Sequence, residues 1–164
     1  MLTDRLALKR LKDIATTRFK EEHPENPFPD SCIHEYKPAK ANGLTRCIKD
    51  FIEFNGGQAE RISVTGRMVD NTKVVSDVMG HRRIVGSVSY QKSSMTRGSA
   101  DISATINGRS VKIEIKIGKD RQSDAQKKYE QSIERAGGIY LIVHTLADFV
   151  NWWDNQQTQG DLFR

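Results

Sequence analysis

The sequence predicts an α/β fold with a mixed sheet, and three observations predict it. Asn107-Gly108 is the preferred pair of a two-residue type I′ turn and joins two alternating segments into an antiparallel hairpin. Ser123 to Gly138 reads as a capped helix closed by a Gly-Gly pair, and Ile139 to Val143 is an unbroken apolar run. Strand, helix and strand in that order make a right-handed crossover, which sets 139–143 parallel to the second hairpin strand.

The remaining elements follow in chain order. Thr3 can cap a first helix in which Leu6, Leu11 and Ile14 recur near the helical period, fading around Lys20. Prolines 24, 27, 29 and 38 then break regular structure, so residues 23–42 read as an extended connector. Leu44, Ile48, Phe51 and Ile52 form the apolar stripe of a second helix that stops at Gly56-Gly57. Ile62 and Val64 alternate with polar neighbours as a strand that Gly66 ends, and Val74 to Val78 and Ile84 to Val88 read as an inserted hairpin.

With 164 residues, a net charge of +5 and 37 % hydrophobic residues, the chain fits one compact domain with short appendages. We divide it into a helix and connector over 1–42, a central domain over 43–154 and a flexible tail over 155–164. No stretch approaches the ~20 apolar residues of a membrane span, and the first residues are charged where a signal peptide would be apolar. The only cysteines, Cys32 and Cys47, exclude a disulfide framework, so a reducing, cytoplasmic setting is expected. The 26 basic residues against 21 acidic ones favour a polyanionic partner, weakly. Arg67, Lys73, His81, Arg82, Arg83, Lys92, Arg97 and Lys112 are candidates for a phosphate-binding surface; solvated charge is the plainer reading of any one of them.

The Asn107-Gly108 turn sets the register of the chemistry. It pairs Ile106 with Arg109 and, five steps on, Asp101 with Glu114, while Ile102, Ala104, Ile106, Val111, Ile113, Ile115 and Ile117 share one face. Lys116 lies one pleat beyond Glu114 on the other face. Opposed carboxylates repel unless a cation sits between them, and their hard oxygens suit magnesium or manganese. The alternative is an Asp-Glu-Lys ladder on an exposed strand, neutralised by Lys116. Gly98 permits close backbone approach by a ligand, although a turn also explains it. Gln126 and Tyr129 share a helix face that can reach back to the acids; alternatively Gln126 completes a capping box with Ser123 and Tyr129 is a half-buried aromatic. Trp152 and Trp153 stack on bases or, as we favour, pack against the fold. His23, His34, His81 and His144 form no ligand spacing.

Gly98-Ser99-Ala100-Asp101, Glu114-Ile115-Lys116 and Gln126 to Tyr129 together resemble the PD-(D/E)XK nuclease superfamily. The spacing and the ending Ala136-Gly137-Gly138-Ile139-Tyr140 resemble its VRR-NUC branch of small phage and bacterial proteins, over roughly Leu44 to Trp153. The resemblance implies a restriction-endonuclease-like α-β-β-β-α-β core behind an N-terminal helical extension, and metal-dependent endonucleolytic cleavage of DNA, selective for branched or flapped substrates and carried out by homodimers. By position, Asp101, Glu114 and the Ile115 carbonyl would hold Mg2+ or Mn2+, Lys116 would orient or activate water, and Gln126 and Tyr129 would support the site. Ala100 replaces the family's proline. Asn42 stands near where many relatives carry an acid, with Glu53 far along the helix, so a second metal is not carried over. Gln159-Gly160-Asp161-Leu162-Phe163 resembles the bacterial sliding-clamp-binding peptide, implying a clamp partner through Gln159, Leu162 and Phe163. The alternative function is an inactive DNA-binding or clamp-associated accessory protein.

Overall fold

A computed structural model describes residues 2–63, 66–91 and 96–161. Five helices and eight strands lie among them, and no helix is long and apolar enough to cross a membrane.

Helix α1 (Asp4–Glu22) buries Ala7, Leu11 and Ala15. The expected Leu6 is instead 52 % exposed, because the two alanines flanking Leu11 at four-residue spacing form the narrower face that lets neighbouring helices come close. The expected cap at Thr3 has the extended backbone of an N-cap but no side-chain hydrogen bond. The chain then makes one helical turn, α2 (Pro29–Cys32), inside the predicted connector, since proline is well suited to the first helical position. Helix α3 (Ala41–Phe54) carries the predicted stripe, with Leu44, Ile48, Phe51 and Ile52 fully buried, and Gly56 takes φ +84° just beyond it.

Strand β1 (Gln58–Arg61) begins earlier than the Ile62/Val64 alternation predicts, and Val64 lies outside the described residues. Pairing overrides alternation here: β1 leaves Gly57 directly onto the edge of β6 (Ile102–Ile106), with Gln58 opposite Thr105 and Arg61 opposite Ile102. Strand β7 (Arg109–Ile115) follows the predicted turn, with Asn107 at φ 50° and Gly108 at φ 75°. Its pairing runs from Ile106–Arg109 to Ile102–Ile113, the predicted register. Helix α4 (Asp124–Arg135) then returns the chain to β8 (Ile139–Val143), parallel to β7. The mixed sheet has the order β1-β6-β7-β8.

Helix α5 (Leu146–Asp161) closes the fold, and its backbone is helical through residues the sequence leaves as a tail. Asn155, Gln156 and Gln157 are compatible with helix and no proline interrupts them. The N-terminal residues are likewise more than an extension: Ala7, Leu11 and Ala15 share one apolar cluster with α3, α5 and the sheet. Asp4 Oδ1 accepts from Ala147 N at 2.9 Å, and Arg10 reaches Asp154 at 2.8 Å. Trp153 is buried against Phe51 (centroids 5.6 Å) and Phe149, and Trp152 also lies against Phe149, so both tryptophans pack into the fold.

Between β1 and β6 the predicted insertion is a longer arm. Strands β2 (Arg67–Asp70) and β5 (Val88–Gln91) pair in its lower part, and β3 (Lys73–Ser76) and β4 (Arg82–Val85) in its outer part. Strand β3 stops short of the predicted Val78 because Asp77 to His81 form the end turn, with Asp77 Oδ1 accepting from Met79 N and His81 N at 2.9 Å. Strand β4 starts before the predicted Ile84 and ends at Val85, where Gly86 takes φ +96° and Val88 passes to β5.

Candidate active site

The site forms where β6, β7 and the start of α4 meet. The ladder ends at Ile102–Ile113, one pair short of the predicted Asp101–Glu114 pair. Asp101 sits at a bend: its carbonyl accepts from Ile62 N at 2.8 Å, and its carboxylate Oδ2 accepts from Ile115 N at 2.8 Å. The acid therefore ties the two strands together beyond their last pair. The apolar face is as predicted, with Ile102, Ala104, Ile106, Val111, Ile113 and Ile115 all buried.

The opposite face is no exposed ladder. Glu114 is 3 % and Lys116 5 % exposed, so the surface-ladder alternative does not hold. A buried carboxylate is costly unless paired. Lys116 Nζ lies 3.0 Å from Glu114 Oε1 and 3.2 Å from both Asp120 Oδ2 and Gln126 Oε1, which gives each of its three protons an acceptor. The ammonium thus supplies a cation beside the acids. Burial nevertheless holds the Glu114 carboxyl above its ordinary range, aided by the charge of Asp101 and opposed by the hydrogen bond from Lys116. For Lys116, burial pulls the ammonium down, but Glu114 and Asp120 outweigh it and leave its pKa raised.

Gln126 does the two things that the sequence offers as alternatives. Ser123 Oγ accepts from Gln126 N, and Gln126 Oε1 accepts from Ser123 N at 2.9 Å, completing a capping box. The same side-chain oxygen accepts a hydrogen bond from Lys116 Nζ, and Nε2 donates a short hydrogen bond to Glu114 Oε1. The helix cap and the acid–ammonium pair are one network.

Gly98 positions this network. It adopts φ +84°, and a Cβ there would lie 2.5 Å from the backbone carbonyl of Ala125 and 2.8 Å from Gln126 N. The close approach is to the start of α4 rather than to a ligand. A cleft of about 470 Å3 lies alongside, lined by Arg97, Ser99, Ser123 and Gln126 among others.

Two buried side-chain oxygens among the described residues have no hydrogen-bond partner, Glu114 Oε2 and Tyr140 Oη. Tyr140 is on the neighbouring strand, paired with Lys112 two steps from the Glu114–Ile142 pair, and burial and the Glu114 charge raise its pKa. Tyr129 is half-buried with its ring edge-on to Tyr140 at 6.3 Å and makes no hydrogen bond to the acids. Asp120 and Tyr140 are the two members sequence reasoning missed. Asp120 was legible as a carboxylate four residues beyond Lys116, whereas Tyr140 was hidden as one hydroxyl in an apolar run.

Among the described residues no group of three His, Cys, Asp or Glu converges as a metal cluster. Asn42 accepts from Arg61, and Glu53 is paired with Lys49. A hard divalent ion at this site would rest on Asp101, Glu114 and backbone oxygen. This is a donor set magnesium accepts, since it binds through one or two carboxylates and keeps its waters. The orphaned Glu114 Oε2 fits such a ligand.

The basic candidates divide. Arg97 is exposed at the cleft, and Lys112 is half-buried and donates to Ser103 across the strand pair. Arg82 and Arg83 are exposed on β4, and Arg67 belongs to β2. Lys92, Leu162 and Phe163 lie outside the described residues, and Gln159 belongs to the backbone of α5. Comparison with protein-family models and with curated proteins finds no match for the chain.

Proposed function

We propose that this protein is a magnesium- or manganese-dependent DNA endonuclease with a restriction-endonuclease-like core of the VRR-NUC kind. One observation carries the reading: a buried carboxylate with an unpartnered oxygen, Glu114, stands beside Asp101 and is held by an ammonium and an amide. Asp101, Glu114 and the Ile115 carbonyl would hold the ion, which when bound lowers the pKa of a water and withdraws charge from the phosphate. Lys116 supplies positive charge where negative charge grows on the phosphoryl oxygens. Gln126 keeps Lys116 and Glu114 in register, and Asp120 and Gln126 hold the ammonium between substrate encounters. Branched or flapped DNA is the substrate class this reading favours, with a second copy and a sliding clamp as further partners and the cytoplasm as its compartment.

Cleavage of duplex, flap and four-way DNA in magnesium tests it. Asp101→Ala and Glu114→Ala are expected to lose metal affinity and activity together. Lys116→Ala is expected to lose turnover while still binding DNA, and full activity of that variant contradicts the role. A second reading, an inactive accessory protein, draws on the fact that all three Lys116 protons already have acceptors, as in a purely structural network. A manganese titration that finds no binding at Asp101 and Glu114, in a protein that still binds DNA, favours that second reading.

A further inference from the structure

The arm over residues 66–91 has no core of its own. Its strands pair with one another and have no substantial packing against the helices or the main sheet. Large apolar side chains lie open along it: Met68 is 65 %, Val74 67 % and Ile84 73 % exposed, and at the end turn Val78 is 103 % and Met79 78 % exposed. Isolated two-stranded ribbons are marginal in water, so this surface is built to be covered.

Charge identifies what covers it. The arm holds four Arg or Lys against two Asp, Asp70 and Asp77. Both acids are turned inward on the arm's own turns, Asp70 onto Thr72 and Asp77 onto Met79 and His81. Arg82 and Arg83 have no ion pair among the described residues. They are consecutive on one strand, opposite Ser76 and Val75, and so project from opposite faces of the ribbon just behind the apolar tip. Two copies meeting through this surface would set arginine against arginine with no free acid between them, whereas a polyanion with an apolar interior meets both features.

The arm's root is the candidate site itself. Ile62 N donates to Asp101 O at 2.8 Å, so the chain leaves for the arm and returns from it beside the acid. Strands β2 and β3 with the two residues between them cover residues 67–76, which at ~3.3 Å each span up to about 33 Å, close to one turn of duplex DNA.

We propose that this arm grips the DNA substrate about one helical turn from the cleavage position, with Val78 and Met79 wedged into the minor groove and Arg82 and Arg83 on the phosphates of its two walls. Apolar wedges of this kind unstack a base step and kink the duplex, and neither Val78 nor Met79 has a side-chain donor with which to read base edges. The inference rests on the endonuclease reading for its substrate, and it adds a second, non-cleaving contact that sets how much DNA the enzyme needs.

The test uses the full chain with calcium in place of magnesium, and end-labelled duplexes of roughly 12 and roughly 30 base pairs, the shorter one too short to reach the tip from a central site. Affinity is read by anisotropy and bending by energy transfer between the ends. Val78→Ser with Met79→Ser is expected to abolish the bend and weaken binding of the long duplex about tenfold, leaving the short one unchanged. Arg82→Ala with Arg83→Ala is expected to lower the slope of log affinity against log salt by about 2. Variants that bind and bend the long duplex as the wild type does overturn the proposal. So do variants that only convert a dimer to a monomer in sedimentation, which would give the arm to a second copy. If the wild type bends DNA through the arm but never cuts it in magnesium, the arm stands and the endonuclease reading fails. If it cuts with no dependence on the arm, only the arm proposal fails.

Discussion

Two antiparallel hairpins of this chain obey the same local rules and end in opposite environments. In β6–β7 the inward residues Ile102 and Ile113 are fully buried; in β3–β4 the paired Val74 and Ile84 are 67 % and 73 % exposed. Alternation and turn chemistry made both ribbons, whereas burial came from partners. Helix α3 packs on one face of the first, and the start of α4 seals its charged end; the second has neither. The comparison teaches that pairing can be specified locally while a hairpin's role is decided by what covers it. Covered, it holds a charged network in register; uncovered, it is a contact surface.

Stability measurements can break this comparison most directly. Phe51→Ala, beneath the sheet, is expected to cost about 3–5 kcal/mol in urea unfolding, while Ile84→Ala on the arm stays within about 0.5 kcal/mol. Equal losses would mean the arm is packed in solution.

The network gives the next largest effect. Lys116→Met leaves Glu114 buried without its ammonium and is expected to cost about 3 kcal/mol or more. The double variant Glu114→Gln with Lys116→Met recovers part of it. A double variant no more stable than the single one would show that the pair is not coupled.

The pH dependence separates the regions more gently. Burial, with Asp50 nearby, pushes the Cys47 thiol from 9.0 up to about 11, and burial likewise raises Tyr36, whose hydroxyl donates to Asp50. Groups raised in the folded state contribute stability that is complete below their unfolded values and is lost as pH rises through the folded ones, so global stability should decline from about pH 9 upward. On the arm, hydrogen bonds from Thr72 lower Asp70 below 3.8, so its contribution is present above that value and lost as pH falls through the folded value. Urea midpoints across pH, with hydrogen exchange at Thr72, check both. The smallest effect is chemical: a thiol reagent is expected to label exposed Cys32 in the native protein and buried Cys47 only on unfolding.

Much of this was legible in short-range pattern. Asn107-Gly108 gave the β6–β7 register, because a two-residue turn leaves one pairing and a one-residue slip would turn Ile102 and Ile113 outward. Ser123 and Gln126 gave the start of α4. The misses were contacts between distant parts of the chain. Leu6 looked like core until Ala7 and Ala15 proved the better fit against neighbouring helices, and β1 took its position from the edge of β6 rather than from its own alternation.

Hydrogen-bonding geometry within a few residues is dictated by residue type, so the turns, the capping box and the face shared by Ile102 and Ile113 were settled in the order of the amino acids. The solvent exposure of a charge depends on which distant segments fold over it. Only the assembled protein could therefore bury Glu114 with one oxygen unpartnered, set Gln126 against Lys116, or leave Val78 and Met79 open to water.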